Sequence, residues 1–542
     1  MIETPQVADC MQTAQAGPQL LQDWIARAAL RDPDRPCIVC AEDGRTLSYG
    51  QLRDLTQRVG ACLRAHGLGR NDRVALLANN SIEHLACYFG VMACGATVCT
   101  VHVEMNRNHL QHILPAIDPR MVLFEAGLNL DDVLAAASAP CVPLGRWDDG
   151  DIGGFYADLG RYQPGDNGVP RVREQDDAVI FFTSGTSDRP KGVVLSFREL
   201  FCNAVATADA FGMTGNDRIY DYRSFNWCSA QVLSALAPLA RGATLILGRR
   251  FSRSHFFEHI KHYGATIAAG NPTTINMLLN SNEKTRGADV PSLRFVTSSS
   301  APLMIEEWRR FEDNFGIRVS QGYGCSEIGW IAAHAGENRR LGTVGKPMPY
   351  LNLRILDRDG RALGAGDVGS VEAGGFEDSV FRYLAEDGTF KVNSRGRMKT
   401  GDLGYLDADG FLHLTGREKE LIIRGGVNIS PVEIDSLLMQ RPEVVEAATV
   451  GVPDRIYGEE VVSYVVLRPG STIEPEEILR YCNSVLAAFK APKQILLAND
   501  LPKNERGKLD RKALLERWKA DQAGRAIGGI PGRGQGPRNR DP

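Results

Sequence analysis

Charge of either sign is nearly balanced in this 542-residue chain: 62 Lys and Arg stand against 66 Asp and Glu, a formal net charge of −4. So small an excess gives no reason to expect a nucleic-acid partner, which a strongly basic surface would signal. Cysteine pairing is missing too. The twelve cysteines are scattered, and most lie in apolar contexts such as Leu85–Cys99, where free thiols behave as small hydrophobes. A reducing cytoplasm is the expected compartment. The one close pair, Cys37 and Cys40 in CIVC, has no second pair to complete a zinc site and lies in an apolar, strand-like run. The N-terminal stretch carries acid and lacks an apolar core, so it does not read as a secretory leader. No integral membrane segment is expected. The longest candidate, Leu85–Val101, is uncharged, but Gly90, Gly95, Thr97 and Thr100 interrupt it. It reads as helix, tight turn and buried strand.

The length exceeds what one core organises, so several lobes are expected. Strand-like and helix-like runs alternate through TLSYGQLRDLTQRVGACLRAHGL, DRVALLA, IEHLACYFGVMAC and MVLFEAG. Such alternation predicts an α/β fold with largely parallel, layered sheets. From about residue 342, Asp-Gly pairs between short alternating runs read as hairpins, predicting a β-rich lobe over 342–416. The expected division is an N-terminal domain over 1–416, a small α+β C-terminal domain over 417–520, and a Gly/Arg/Pro-rich disordered tail over 521–542.

Four stretches have chemistry to offer. FFTSGTSDRPKGV (181–193) lies between two apolar runs. Its glycine and hydroxyl residues suit close approach of backbone N–H groups to an anion, with Lys191 supplying charge; an ordinary loop has the same composition. In SQGYGCSEIGW (320–330), Tyr323 can stack on a base and Glu327 can hold a phosphate-bound divalent metal. A core tyrosine and a surface glutamate would look no different. Asp402 in MKTGDLG can accept hydrogen bonds from a ribose diol or simply make a turn. Lys508 in NERGKLDRKAL is a compact charge on a long arm, suited to a transferring phosphoryl group, and is equally one lysine among many.

All four occur in one chain in a fixed order, and here the sequence resembles the adenylate-forming superfamily of acyl-CoA and aryl-CoA synthetases, carrier-protein adenylation domains and firefly luciferase. TSGTSDRPKGV matches its phosphate-loop motif, SSSAPL (298–303) and GYGCSE (322–327) its adenine and magnesium motifs, and TGDLG (400–404) its ribose motif. GREKELIIRGGVNISPVEID matches its hinge and NERGKLDRKAL its catalytic-lysine motif. The resemblance implies that Thr183, Ser184, Gly185, Thr186 and Lys191 cradle the β- and γ-phosphates of ATP, with Ser326 on the α-phosphate and Glu327 on Mg²⁺. It implies Tyr323, Ser299, Ser300 and Ala301 around adenine, Asp402 and Arg417 on ribose, Lys508 bridging carboxylate and α-phosphate, and Lys419 at the hinge of a mobile C-terminal domain. Gly425 and Gly426 match the loop that lines the pantetheine tunnel during thiolation.

The implied activity is an acid–CoA ligase using ATP, Mg²⁺, coenzyme A and a small-molecule carboxylic acid. Loading of a carrier protein and a non-catalytic nucleotide-binding role are the alternatives. Oligomeric state is left open, a homodimer included. Three positions depart from the family pattern: Asp188 and Phe197 stand where glycine and histidine are usual, and RSFNW (223–227) replaces a segment bordering the acyl pocket. Asp188 is expected to face solvent. Phe225 and Trp227, with Tyr220 and Tyr222, would line a slot for an aromatic or betaine-type acid or pack in the core. Asn226 takes the place of the family's histidine, and Arg223 would pair a second carboxylate.

Overall fold

The computed structural model describes residues 18–148, 154–164, 173–183, 190–281, 283–334, 336, 338–503 and 509–528. The chain divides between Leu414 and Thr415 into two compact units. The expected boundary at Gly416–Arg417 falls inside the strand Leu412–Arg417, which crosses that division.

Strand and helix alternation produces two large sheets in the first unit. In the nine-stranded sheet, Arg218–Asp221, Ile267–Ala268, Phe295–Ser298 and Val319–Cys325 run parallel side by side. In the eight-stranded sheet, Met121–Phe124, Arg73–Leu77, Thr97–Thr100 and Asp177–Thr183 do the same. Helices Tyr49–Ala65, Ile82–Ala93 and Phe197–Ala210 share one apolar core with strands of both sheets. Two of them begin in capping boxes, Ser48 with Gln51 and Ser196 with Glu199, which satisfy otherwise orphaned N-terminal donors.

The uncharged run 85–101 falls as expected into the buried helix Ile82–Ala93, a turn with Gly95 at φ +83°, and the strand Thr97–Thr100. Gly90 has a packing reason. A Cβ there would lie 2.5 Å from Val59 Cγ1 on the adjoining helix, so only glycine lets the two helices close to this distance. Among the described residues, no helix is long and apolar enough to cross a membrane.

Residues 342–416 do not form one lobe by themselves; they contribute to three sheets. Lys346–Pro347 edges the nine-stranded sheet, while Asn352–Leu356, Gly369–Gly374, Met398–Leu406 and Leu412–Arg417 form a four-stranded sheet. Val380–Leu384 and Phe390–Arg395 extend the eight-stranded sheet, with Tyr383 opposite Val193 and Leu384 opposite Gly192. Gly192 permits this pairing, since its Cβ would meet Leu384 Cβ at 2.9 Å. Hairpin turns are visible in a sequence, but the edge to which a hairpin is added is decided by non-local packing.

The second unit is α+β, a five-stranded sheet with helices Pro431–Leu438, Pro475–Val485 and Arg511–Gly528. The last helix corrects the expected tail, because it runs through 521–528 before the described residues end. Its Ala, Gln and Arg residues are helix formers that outweigh one interior glycine.

Candidate active site

Open α/β sheets take ligands outside the carboxyl ends of their parallel strands. Ser299, Ser300 and Ala301 follow the strand Phe295–Ser298, and Arg223 lies just beyond Arg218–Asp221. Ser299 is buried and Ser300 exposed. Ser300 has φ +76°, a left-handed conformation that costs a residue with a Cβ about 1–2 kcal/mol. Such strain persists only where the surroundings over-determine it. Arg223 Nη1 donates to Ser299 Oγ at 3.4 Å, and Arg223 Nη2 is 2.7 Å from Asp221 Oδ2. Asp221 is fully buried and also accepts from Ser234 Oγ at 2.5 Å. Burial pulls the Arg223 guanidinium down, but the adjacent carboxylate more than offsets this and holds it above its ordinary range.

Tyr323 and Asp402 meet although far apart in sequence. The Tyr323 hydroxyl donates to Asp402 Oδ2 at 2.6 Å, and both residues are buried. Burial, then the Asp402 charge, push the phenol pKa far up, so the proton stays on the tyrosine. Gly401, at φ +79°, lies within the strand Met398–Leu406, where its pairing register with Gly369–Gly374 shifts between Lys399 and Leu403, around Asp402.

Thr183 ends one strand and Lys191 begins the next, directly opposite each other in an antiparallel pair. Ser184, Gly185 and Thr186 between them lie outside the described residues, as does Asp188, expected to face solvent. Lys191 is exposed, with Nζ 5.3 Å from the centroid of the Tyr383 ring. The Tyr383 hydroxyl donates to Glu327 Oε1 at 2.8 Å, and burial, then the charge of Glu327, raise its pKa. Ser326 and Glu327 are half-buried. Tyr383 was not found by sequence reading; VFRYL carries no feature beyond strand-like residues.

Among the described residues no group of three or more His, Cys, Asp or Glu could hold a metal ion. A metal here would therefore depend on Glu327 together with phosphate oxygens. That is how Mg²⁺, a hard cation, is commonly bound in nucleotide sites, so the residues present fit it. Cys37 and Cys40 are buried, and burial lifts both thiols to about 12, which marks them as inert. Cys325 and Cys228 are likewise pushed up by burial and then by the charge of Glu327, Cys228 to about 12.

The segment 223–227 corrects part of the expectation. Phe225 is fully buried in the main core, and Tyr220 and Tyr222 pack with Phe256, so these rings line no open slot. The Phe225 N–H donates to Asn80 Oδ1 at 3.0 Å, and Asn80 Nδ2 donates to Gly248 O at 3.0 Å. This pins the backbone so that the ring faces inward, a preference that residue type alone does not reveal. Arg223 is already neutralised by Asp221. Asn226 is buried, with Nδ2 donating to Ala78 O at 2.9 Å and Oδ1 lacking a partner among the described residues. Trp227 is half-buried and stacks on His102 with ring centroids 5.0 Å apart.

In the second unit, Arg417 is exposed at a strand end and Lys419 is exposed in the 3₁₀ turn Glu418–Glu420. Gly425 and Gly426, at φ +57° and +82°, form the two-residue turn between Ile422–Arg424 and Val427–Ile429. Positive φ at both central positions is what a type I′ hairpin requires, so the glycine pair has a local reason. Lys508 lies outside the described residues. Arg511, also missed in the sequence, ties its helix to Asp435 Oδ2 at 2.6 Å and to Glu420 Oε2 at 3.2 Å.

Comparison with known proteins adds to this geometry. The family model "AMP-binding enzyme" matches residues 25–382, and "AMP-binding enzyme C-terminal domain" matches 433–508. The sulfoacetate–CoA ligase of Cupriavidus necator is 33% identical over 511 residues, covering 91% of this chain and 96% of its own. The indoleacetate–CoA ligase of Aromatoleum aromaticum is 31% identical, covering 90% and 96% respectively. Among solved structures, ATP-bound MatB from Rhodopseudomonas palustris is similar with a TM-score of 0.82 at 28% identity, covering 92% of this chain and 99% of its own.

Proposed function

We propose a specific assignment of residues to steps for a chain that belongs to the AMP-binding enzyme family and is an AMP-forming acid–CoA ligase. In the first step a carboxylate oxygen of the acid attacks the α-phosphorus of ATP. The bond to the β-phosphate breaks, giving acyl-AMP and pyrophosphate. In the second step the sulfur of coenzyme A attacks the acyl carbon, AMP leaves with the bonding pair, and the thiol proton passes to solvent.

Two anions must meet in the first step. Lys508 offsets that repulsion at the α-phosphate, and Thr183, Ser184, Gly185, Thr186 and Lys191 hold the outer phosphates. Ser326 contacts the α-phosphate, and Ser299, Ser300, Ala301 and Tyr323 bind adenine. Asp402 and Arg417 take the ribose, and Gly425 and Gly426 let the pantetheine arm approach the backbone. Glu327 would hold Mg²⁺, which when bound supplies positive charge to the phosphate oxygens.

The observation that carries this reading is the 2.6 Å bond from Tyr323 to Asp402. It supports the reading because it sets Tyr323, assigned to adenine, beside Asp402, assigned to the ribose. The test is Lys508→Ala, assayed for each half-reaction separately. Acyl-AMP formation should fall by about 10²–10³, the usual cost of losing one such electrostatic contact, while thiolation of supplied acyl-AMP is retained. Loss of both half-reactions in a folded variant would overturn the assignment. A pyrophosphate-release screen over aromatic, dicarboxylic, betaine-type and aliphatic acids, run with coenzyme A, identifies the acid.

A further inference from the structure

Tyr383 stands between the two charges that the reaction must hold in register. Its hydroxyl donates to Glu327 Oε1 at 2.8 Å, and its ring lies under the Lys191 ammonium, 5.3 Å from centroid to Nζ. That distance is within the range of a cation–π attraction. The strand carrying Tyr383 is fixed on both sides. Arg382 ion-pairs with Asp177 at the start of the strand Asp177–Thr183, and Leu384 sits against Gly192, where a Cβ would not fit. The close approach at Gly192 is thus what brings Tyr383 beside Lys191.

A core tyrosine would bury its ring and find any acceptor for its hydroxyl. Tyr383 is half-buried instead, and its acceptor is Glu327, the carboxylate assigned to the phosphate-bound cation. One oxygen of Glu327 is held by the phenol, which fixes the plane of the carboxylate. The ring limits where the Lys191 ammonium can go.

We propose that Tyr383 is a positioning residue that locks Glu327 and Lys191 into one arrangement, so that the divalent ion and the outer phosphates bind as a unit. This rests on the assignment of Glu327 to the metal. Outer partners of metal-holding carboxylates govern affinity through orientation, and a residue shared by metal and phosphate contacts makes the two binding events mutually reinforcing.

The test is calorimetric binding of ATP to the full chain with and without Mg²⁺, in the wild type, Tyr383→Phe, Glu327→Gln and the double variant. Tyr383→Phe keeps the ring and deletes the hydroxyl. It should reduce the factor by which Mg²⁺ tightens ATP binding by about tenfold, in the range found for such outer partners, and leave metal-free ATP binding unchanged. Tyr383→Leu should weaken metal-free binding as well, because Lys191 loses its ring. Adding Tyr383→Phe to Glu327→Gln should change nothing further. If Glu327→Gln abolishes the Mg²⁺ effect and Tyr383→Phe leaves it whole, the proposal is overturned and the metal assignment stands. If Glu327→Gln itself leaves the Mg²⁺ effect intact, the metal assignment fails and the proposal with it. A lowered melting temperature in Tyr383→Phe with the Mg²⁺ factor untouched would show a role in packing alone and also overturn it.

Discussion

Tyr323 and Glu327, in the first unit, are each hydrogen-bonded to a partner from a distant segment, Asp402 and Tyr383. Gly425 and Gly426, in the second, owe their place to a two-residue turn between strands adjacent in sequence. The first arrangement depends on the whole fold, since every partner arrives on a different strand. The second depends on two φ angles. Groups in the first unit should therefore be expensive to disturb and coupled to global stability, while the turn in the second should tolerate change at a small local cost. Arg511 is the second unit's counterexample, a buried charge paired with Asp435, but it braces a helix and does not present a group to substrate.

The largest test of this contrast is Arg223→Met, which leaves Asp221 charged and unpaired in the core. Unfolding in urea should show a loss of about 3–5 kcal/mol, as for other broken buried pairs. Replacing Asp221 by Leu in the same chain should restore most of it. A loss confined to substrate binding would mean that the network is local after all.

An effect of similar size should appear on acidification. His84 and His334 are both buried in the first unit, and burial depresses each to about 4. An unfolded histidine titrates near 6.5. The folded state therefore binds fewer protons between these values, so the stability is fully present above about pH 6.5 and lost as pH falls through 4. Each contributes up to about 3 kcal/mol over that window. Urea midpoints measured from pH 7 to 4 should fall, and His84→Asn should make the fall shallower. No histidine occurs after residue 414, so the second unit has no histidine to contribute to such a loss.

The smallest effect should come from Gly425→Ala. A methyl group at φ +57° costs about 1–2 kcal/mol, read as faster amide exchange confined to the hairpin Ile422–Ile429. Global unfolding after this change would erase the distinction between the two units.

Motifs carried on contiguous residues were legible in the sequence. Thr183, Lys191, Tyr323, Glu327 and Asp402 stand out as candidates because glycine, hydroxyl and charge fall close together around them, but composition leaves a plain loop, a core tyrosine or a turn open, and only the resemblance to the adenylate-forming superfamily selects a nucleotide role. The α/β alternation was legible for the same reason, since strand and helix periods are local. Tyr383 was not, because its significance is a strand pairing with Val193 and a bond to Glu327, neither of which leaves a trace in VFRYL. The RSFNW segment failed differently. Its aromatic and charged residues are visible in the sequence, but the inward turn of Phe225 follows from Asn80, 145 positions away, whereas the partner of Arg223, Asp221, lies only two positions upstream. The β-rich stretch was recognised by its turns, yet its three destinations are set by sheet edges that only the fold supplies.

The buried thiols near Glu327 have a consequence for chemoselectivity. An enzyme that makes an acyl adenylate generates an electrophile able to acylate any thiolate within reach, its own included. Cys325 lies two positions from Glu327, and Cys228 senses the charge of that carboxylate. Both stay protonated at neutral pH, since burial and that charge oppose ionisation. A neutral thiol is a poor nucleophile. Burial alone thus discourages self-thioesterification, whatever charge Glu327 carries, and leaves the activated acyl group for a thiol that arrives from solution.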